Sequence, residues 1–179
     1  MMASEGYVCS LDSSTKLKVT IFLYRDVQNI SDIKQKLFSG EIQCCIMKAN
    51  LICSPNIVVS AANKSAMMDS QNTLTTKSIY TEILYNLSPS RNITDSLMKF
   101  GIDEKHKHIV VAFINNVEDA APFDNVLNAI NGEQIHINKL HEYSDLTLIK
   151  KVYKLSETEL LVSSLEDSVL SKLSIKDFS

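Results

Sequence analysis

The residues able to do chemistry are few and scattered. The four histidines, His106, His108, His136 and His141, are the first candidates for a general base or a metal ligand. His106 and His108 lie two apart among lysines in the charged stretch Asp103–His108, so they lack the four-residue helical spacing of an H-x-x-x-H metal pair. Solvated loop histidines are the favoured reading. The cysteines Cys9, Cys44, Cys45 and Cys53 form no C-x-x-C pair. Adjacent Cys44 and Cys45 are poorly placed to bridge each other or to share a metal, so small buried thiols are expected. Asp103-Glu104 and Glu118-Asp119 read as solvated acidic loops. No G-x-S-x-G elbow, phosphate-binding P-loop or G-x-G-x-x-G is present, and the chain holds only 4 glycines. The sequence therefore predicts no catalytic residue, no metal and no cofactor: a protein that works by binding.

Composition narrows what it binds. Apolar residues make up 45% and charged residues 22% of 179 residues, ordinary values for a chain that buries a core without a disulfide or metal staple. A formal charge of −3 disfavours stand-alone nucleic-acid binding, which calls for a basic footprint. The N-terminus lacks the basic-then-apolar pattern of a signal peptide, and no apolar run approaches the roughly 20 residues of a membrane helix. The expectation is a protein of the cytoplasm and nucleus with no membrane partner. In that setting the N-x-[ST] triplets at Asn29, Asn63, Asn86 and Asn92 serve as caps and turns rather than glycan acceptors.

The elements that must position these residues follow from periodicity. Residues 1–16 read as a flexible segment and 17–179 as a single domain. Leu17–Tyr24 predicts a strand with Val19, Ile21 and Leu23 on one face, and Ile30, Ile33 and Leu37 a short helix between Asn29 and Gly40. Ile42–Ile52 is mixed. Ser54-Pro55 opens a helix through Ala61, Ala62 and Met68, although the β-branched run Ile57-Val58-Val59 opposes it. Ile79–Leu87 and a helix capped by Asn92 and stopped at Gly101 flank the turn Ser88-Pro89. Ile109–Ile114 predicts a strand covered on both faces. Pro122 opens a helix carrying Phe123, Val126, Leu127 and Ile130, Gln134–Ile137 is strand-like, and Asp145 caps a helix through Val152. Ser156-Glu157-Thr158-Glu159 is a capping box, and its helix is expected to run to about Leu173. On that single helix Leu161, Val162, Leu165, Val169, Leu170 and Leu173 cover about half the circumference, wider than the ~100° stripe a surface helix needs. One side can sit on the core and another face a partner. The fold class is mixed α/β: a small, largely antiparallel sheet packed with several helices and closed by a C-terminal amphipathic helix.

The stretch Thr81–Ile102, TEILYNLSPSRNITDSLMKFGI, has the form helix, polar turn, capped helix and glycine stop. It resembles the TPRKB family, the small PRPK-binding subunit of the KEOPS/EKC complex. Ala61-Ala62-Asn63-Lys64-Ser65-Ala66, Lys150-Lys151-Val152-Tyr153-Lys154-Leu155-Ser156 and Ser174-Ile175-Lys176-Asp177 are similar to further blocks of that family, collinear along the chain. The resemblance implies a regulatory adaptor that docks on the N-terminal lobe of PRPK, a kinase-like ATPase, and through it on the transferase subunit. KEOPS installs threonylcarbamoyl on adenosine in tRNA, and archaeal relatives also hold the single-stranded tRNA end. On this resemblance Leu165, Val169, Leu170 and Leu173 are the candidate PRPK anchors. Asn63, Lys64, Lys77 and Arg91 are the candidate tRNA contacts, with Tyr80 or Tyr85 able to stack a base. The competing reading is a small-molecule-binding domain or small enzyme, with a pocket between the Ala61–Ala66 helix and the Glu82–Ile102 pair.

Overall fold

The computed structural model describes residues 5–119 and 123–178. Among the described residues five strands form one antiparallel sheet: β1 (Tyr7–Ser10), β2 (Leu17–Arg25), β3 (Cys45–Lys48), β4 (Ile109–Asn116) and β5 (Glu133–Ile135). The path is β1-β2-β4-β3. β4 takes one edge of β2 along Leu17–Tyr24, and β1 and β5 share the other edge in series. Residues 7–10 were expected to lie in a flexible segment; they form a strand instead, because Tyr7–Ser10 finds backbone partners at Lys18–Ile21. The mixed segment 42–52 resolves into β3 followed by a 3₁₀ turn at Ala49–Leu51.

Helices cover both faces of the sheet, so the two central strands are apolar on both sides. Val19, Ile21 and Leu23 of β2, with Val110 and Ala112 of β4, face one core. Phe22, Tyr24, Val111 and Phe113 face the other. The second core is closed by α1 (Ile30–Ser39) and α5 (Asp124–Ala129), with Phe113 stacked 4.2 Å from Phe123. Helix α1 ends where expected, at Gly40 with φ 76°, a left-handed position that a side chain would strain. Asn29 precedes it without capping it; its side chain ties instead to Ala129 and Asn131 across the chain. Pro122 lies outside the described residues.

The larger core is closed by α2 (Pro55–Ser70), α3 (Ile79–Leu87), α4 (Ile93–Phe100), α6 (Leu146–Val152) and the C-terminal elements. Ser54 caps α2 by accepting the Asn56 N–H at 3.0 Å. The opposing β-branched residues are absorbed because Ile57 and Val58 are fully buried, and burial outweighs weak propensity. Asn86 donates to Ser65 Oγ at 2.9 Å and locks α3 onto α2. Asn92 caps α4 through the Asp95 N–H. Helix α4 ends at Gly101, where an added Cβ would lie 2.5 Å from the Leu97 carbonyl oxygen, so glycine fits this close approach. Asp145 caps α6 as its position predicts.

Candidate functional site

The C-terminal helix departs from expectation. The capping box forms: Glu159 N–H donates to Ser156 Oγ at 3.1 Å, and Ser156 N–H to Glu159 Oε2 at 2.7 Å. The helix it opens, α7 (Glu157–Val162), ends well short of Leu173. Ser163 and Ser164 are extended, and Ser164 caps a second helix, α8 (Leu165–Ile175), through the Asp167 N–H. A break between the two resets the helical phase, so the wide apolar arc of a single helix does not exist. Val169 is 1% exposed and Leu173 9%, both inside the larger core. They are corrected from partner anchors to packing residues. Leu165 and Leu170 are half-buried against the same core.

The exposed apolar surface lies next door. Helix α7 buries none of its residues, and Leu161 and Val162 are 84% and 86% exposed. Ion pairs hold α7 in place from either side: Lys150 to Glu157 at 3.5 Å from α6, and Lys172 to Glu159 at 3.3 Å from α8. The result is a short helix, packed on the larger core through half-buried Leu160 and paired with both neighbours, that presents two aliphatic side chains outward. Sequence reasoning included Leu161 and Val162 in the wide apolar arc of one long helix but took its partner anchors, Leu165, Val169, Leu170 and Leu173, from farther along that helix. The signal was available in Ser164-Leu165-Glu166-Asp167, an S-x-x-D cap pattern inside the supposed helix.

The expected RNA contacts split. Lys64 lies 2.5 Å from Asp177, and Arg91 donates to the Lys176 carbonyl at 2.8 and 3.1 Å, so these two cations meet at the C-terminus. Asn63 is engaged elsewhere: its Oδ1 accepts the Asp12 N–H at 2.7 Å. Lys77 is exposed before α3, where the Thr75 and Thr76 N–H groups donate to buried Glu82. Neither tyrosine offers a free platform. The Tyr80 hydroxyl meets the Ile114 backbone at 3.4 Å, and the Lys176 ammonium lies 3.5 Å over the Tyr85 ring. Lys176 is buried, donating to the Ser88 carbonyl at 2.9 Å and to Tyr85 O. Burial, with Lys64 next in weight, brings its ammonium down to a pKa of about 8.

Among the described residues the other titratable groups form no reactive constellation. Instead of standing free in solvent, the histidines make local contacts. His106 Nδ1 is 2.6 Å from Asp103, and His108 accepts the Asp26 N–H and leans on Tyr143 at 4.6 Å. His136 caps a 3₁₀ turn, and His141 meets the Asn138 carbonyl. Partial burial raises the Asp103 carboxyl, but hydrogen bonds from His106 and Lys48 outweigh it and hold it well below the carboxylate range. Burial pushes the Cys44 thiol up to about 12, Cys53 up to about 11 and Cys45 well above its ordinary value, which disfavours the thiolate at these three. Among the described residues no group of three or more His, Cys, Asp or Glu could hold a metal ion. A groove of about 640 Å³ runs between α2 and α8, lined in part by Ser60, Lys64, Asn86, Asp167, Ser171 and Asp177. It also takes in Ala61, Leu170 and Leu173, so it is an open groove of mixed polarity rather than the deep pocket of the competing reading.

Similarity to known proteins places this arrangement. The chain is 29% identical over 159 residues to the EKC/KEOPS complex subunit TPRKB of Danio rerio, covering 89% of this chain and 91% of that one. It is 32% identical over 146 residues to the EKC/KEOPS complex subunit cgi121 of Aspergillus fumigatus, covering 78% and 77%. With the subunit CGI121 of Yarrowia lipolytica it shares 29% identity over 166 residues, covering 90% and 95%. The family described as kinase binding protein CGI-121 matches residues 24–177, from the second strand through the C-terminal helices. The chain belongs to the CGI-121 kinase-binding protein family.

Proposed function

We propose that the chain is a non-catalytic adaptor subunit of a KEOPS/EKC assembly in the cytoplasm and nucleus. It binds the kinase-like ATPase subunit, contacts the transferase subunit indirectly through it, and supports threonylcarbamoyladenosine modification of tRNA. Membership of the kinase-binding family over residues 24–177 is the observation that carries this reading. The relatives are named as subunits of that complex, and the scattered, locally engaged titratable groups are consistent with chemistry done by neighbours.

The docking surface in this reading is α7. Leu161 and Val162 are apolar, adjacent and almost fully exposed, on a helix that packs on the larger core through Leu160 and pairs with α6 and α8. Truncatable aliphatic anchors on a fixed element are what a partner surface needs to avoid paying ordering entropy on binding. Lys64 and Arg91 are assigned to the tRNA end, as cations from separate elements that converge at the surface.

Depletion of the protein from cells tests the function. The fraction of tRNA carrying threonylcarbamoyladenosine is expected to fall and to return on re-expression. Unchanged modification on depletion, with no association between the chain and a kinase-like subunit, sinks the proposal.

A further inference from the structure

Lys64 comes from α2 and Arg91 from the turn between α3 and α4, yet one short stretch of the C-terminus occupies both. The Lys64 ammonium is 2.5 Å from an Asp177 carboxylate oxygen. Arg91 directs Nε and Nη2 together at the carbonyl oxygen of Lys176. A phosphodiester would present the same things: an anionic oxygen for an ammonium, and an acceptor for the two-pronged edge of a guanidinium.

The position of these two oxygens is fixed from below. The Lys176 side chain, 5% exposed, reaches the Tyr85 and Ser88 carbonyls at the end of α3 and covers the Tyr85 ring. That buried anchor leaves residue 177 little choice of place. Above it the contact is open: the Lys64 side chain is 33% exposed and that of Asp177 51%. A macromolecule can therefore reach the pair and compete for it, while the anchor holds.

We infer that Asp177 forms an autoinhibitory contact, in which its carboxylate stands where an RNA phosphate binds at Lys64, beside Arg91. This rests on the reading of Lys64 and Arg91 as RNA contacts. Asp177 is the displaceable part, because only its side chain must swing away; Lys176 stays in its socket. Half-exposed ion pairs are weak, so removing the competitor tightens RNA binding by a small factor, about two- to fivefold.

The test uses the full chain and a fluorescently labelled tRNA transcript, with binding read by anisotropy at fixed salt. Asp177→Asn is expected to bind about two- to fivefold tighter than wild type, and Lys64→Ala weaker. In the Lys64→Ala background, Asp177→Asn is expected to add nothing, which separates a released lysine from a mere loss of negative charge. If Asp177→Asn changes nothing while Lys64→Ala and Arg91→Ala weaken binding, RNA binds there and the autoinhibition is overturned. An equal gain in the Lys64→Ala background overturns it too. If neither wild type nor Asp177→Asn binds tRNA, the RNA reading falls and the autoinhibition with it.

Discussion

Helices α7 and α8 are neighbours in sequence, similar in aliphatic content and opposite in fate. Helix α8 seats Val169 and Leu173 in the core, while α7 rests on it only through half-buried Leu160 and turns Leu161 and Val162 to solvent. What separates them is two serines. Serine is nearly neutral within a helix but favourable as a cap, so Ser163-Ser164 lets the chain stop and restart with a new phase. The lesson is that apolar content does not say which helix is core. The phase does, and a cap can change it in two residues.

The contrast can be broken most forcefully at Val169. A charge there has no partner in a fully apolar site, so Val169→Asp is expected to cost about 3–5 kcal/mol in urea unfolding. A loss below about 1 kcal/mol would mean that α8 is not seated as described.

The pH dependence of the α8 anchor comes next. The folded pKa of Lys176, about 8, lies below its ordinary value, so the native state sheds this proton first as pH rises. The stability linked to it is therefore gained between pH 8 and the ordinary lysine value, and lost as pH falls back through 8. Relative to Lys176→Met, wild type is expected to gain about 1–3 kcal/mol over that range. Parallel pH profiles for the two proteins would remove the buried anchor from the account.

A smaller effect sharpens the role of the break. Ser164→Ala removes the α8 cap and is expected to cost about 1 kcal/mol, read from the denaturation midpoint. No loss would mean that the interruption does not depend on that cap. The smallest stability effect belongs to α7: Leu161→Arg with Val162→Arg should leave unfolding within about 0.5 kcal/mol of wild type, because neither side chain is buried. A large loss would make α7 part of the core after all.

Much of the scaffold is legible in the sequence, for local reasons. Ser54-Pro55, Asn92, Asp145 and Ser156 all cap where their residue types and spacing predict, since a cap is a contact between residues two or three apart. Ile109–Ile114 reads as a doubly covered strand because its apolar run has no polar face to offer water. Strand β1 was illegible, being four residues of alternating exposure whose hydrogen-bond partners lie on another strand. The functional surface was legible only in part. Lys64 and Arg91 could be named as cations, but their meeting at Lys176 and Asp177 joins positions some eighty or more residues apart, which no local pattern encodes. Val169 and Leu173 were misplaced because one missed cap rotates every later residue.

Titration calorimetry of the kinase-like KEOPS subunit with the wild-type chain and with Leu161→Arg/Val162→Arg tests the central claim most directly. The account predicts binding to wild type and at least a tenfold loss for the folded double variant. Equal affinity for both proteins would contradict the assignment of α7, and no binding by wild type would contradict the adaptor function itself.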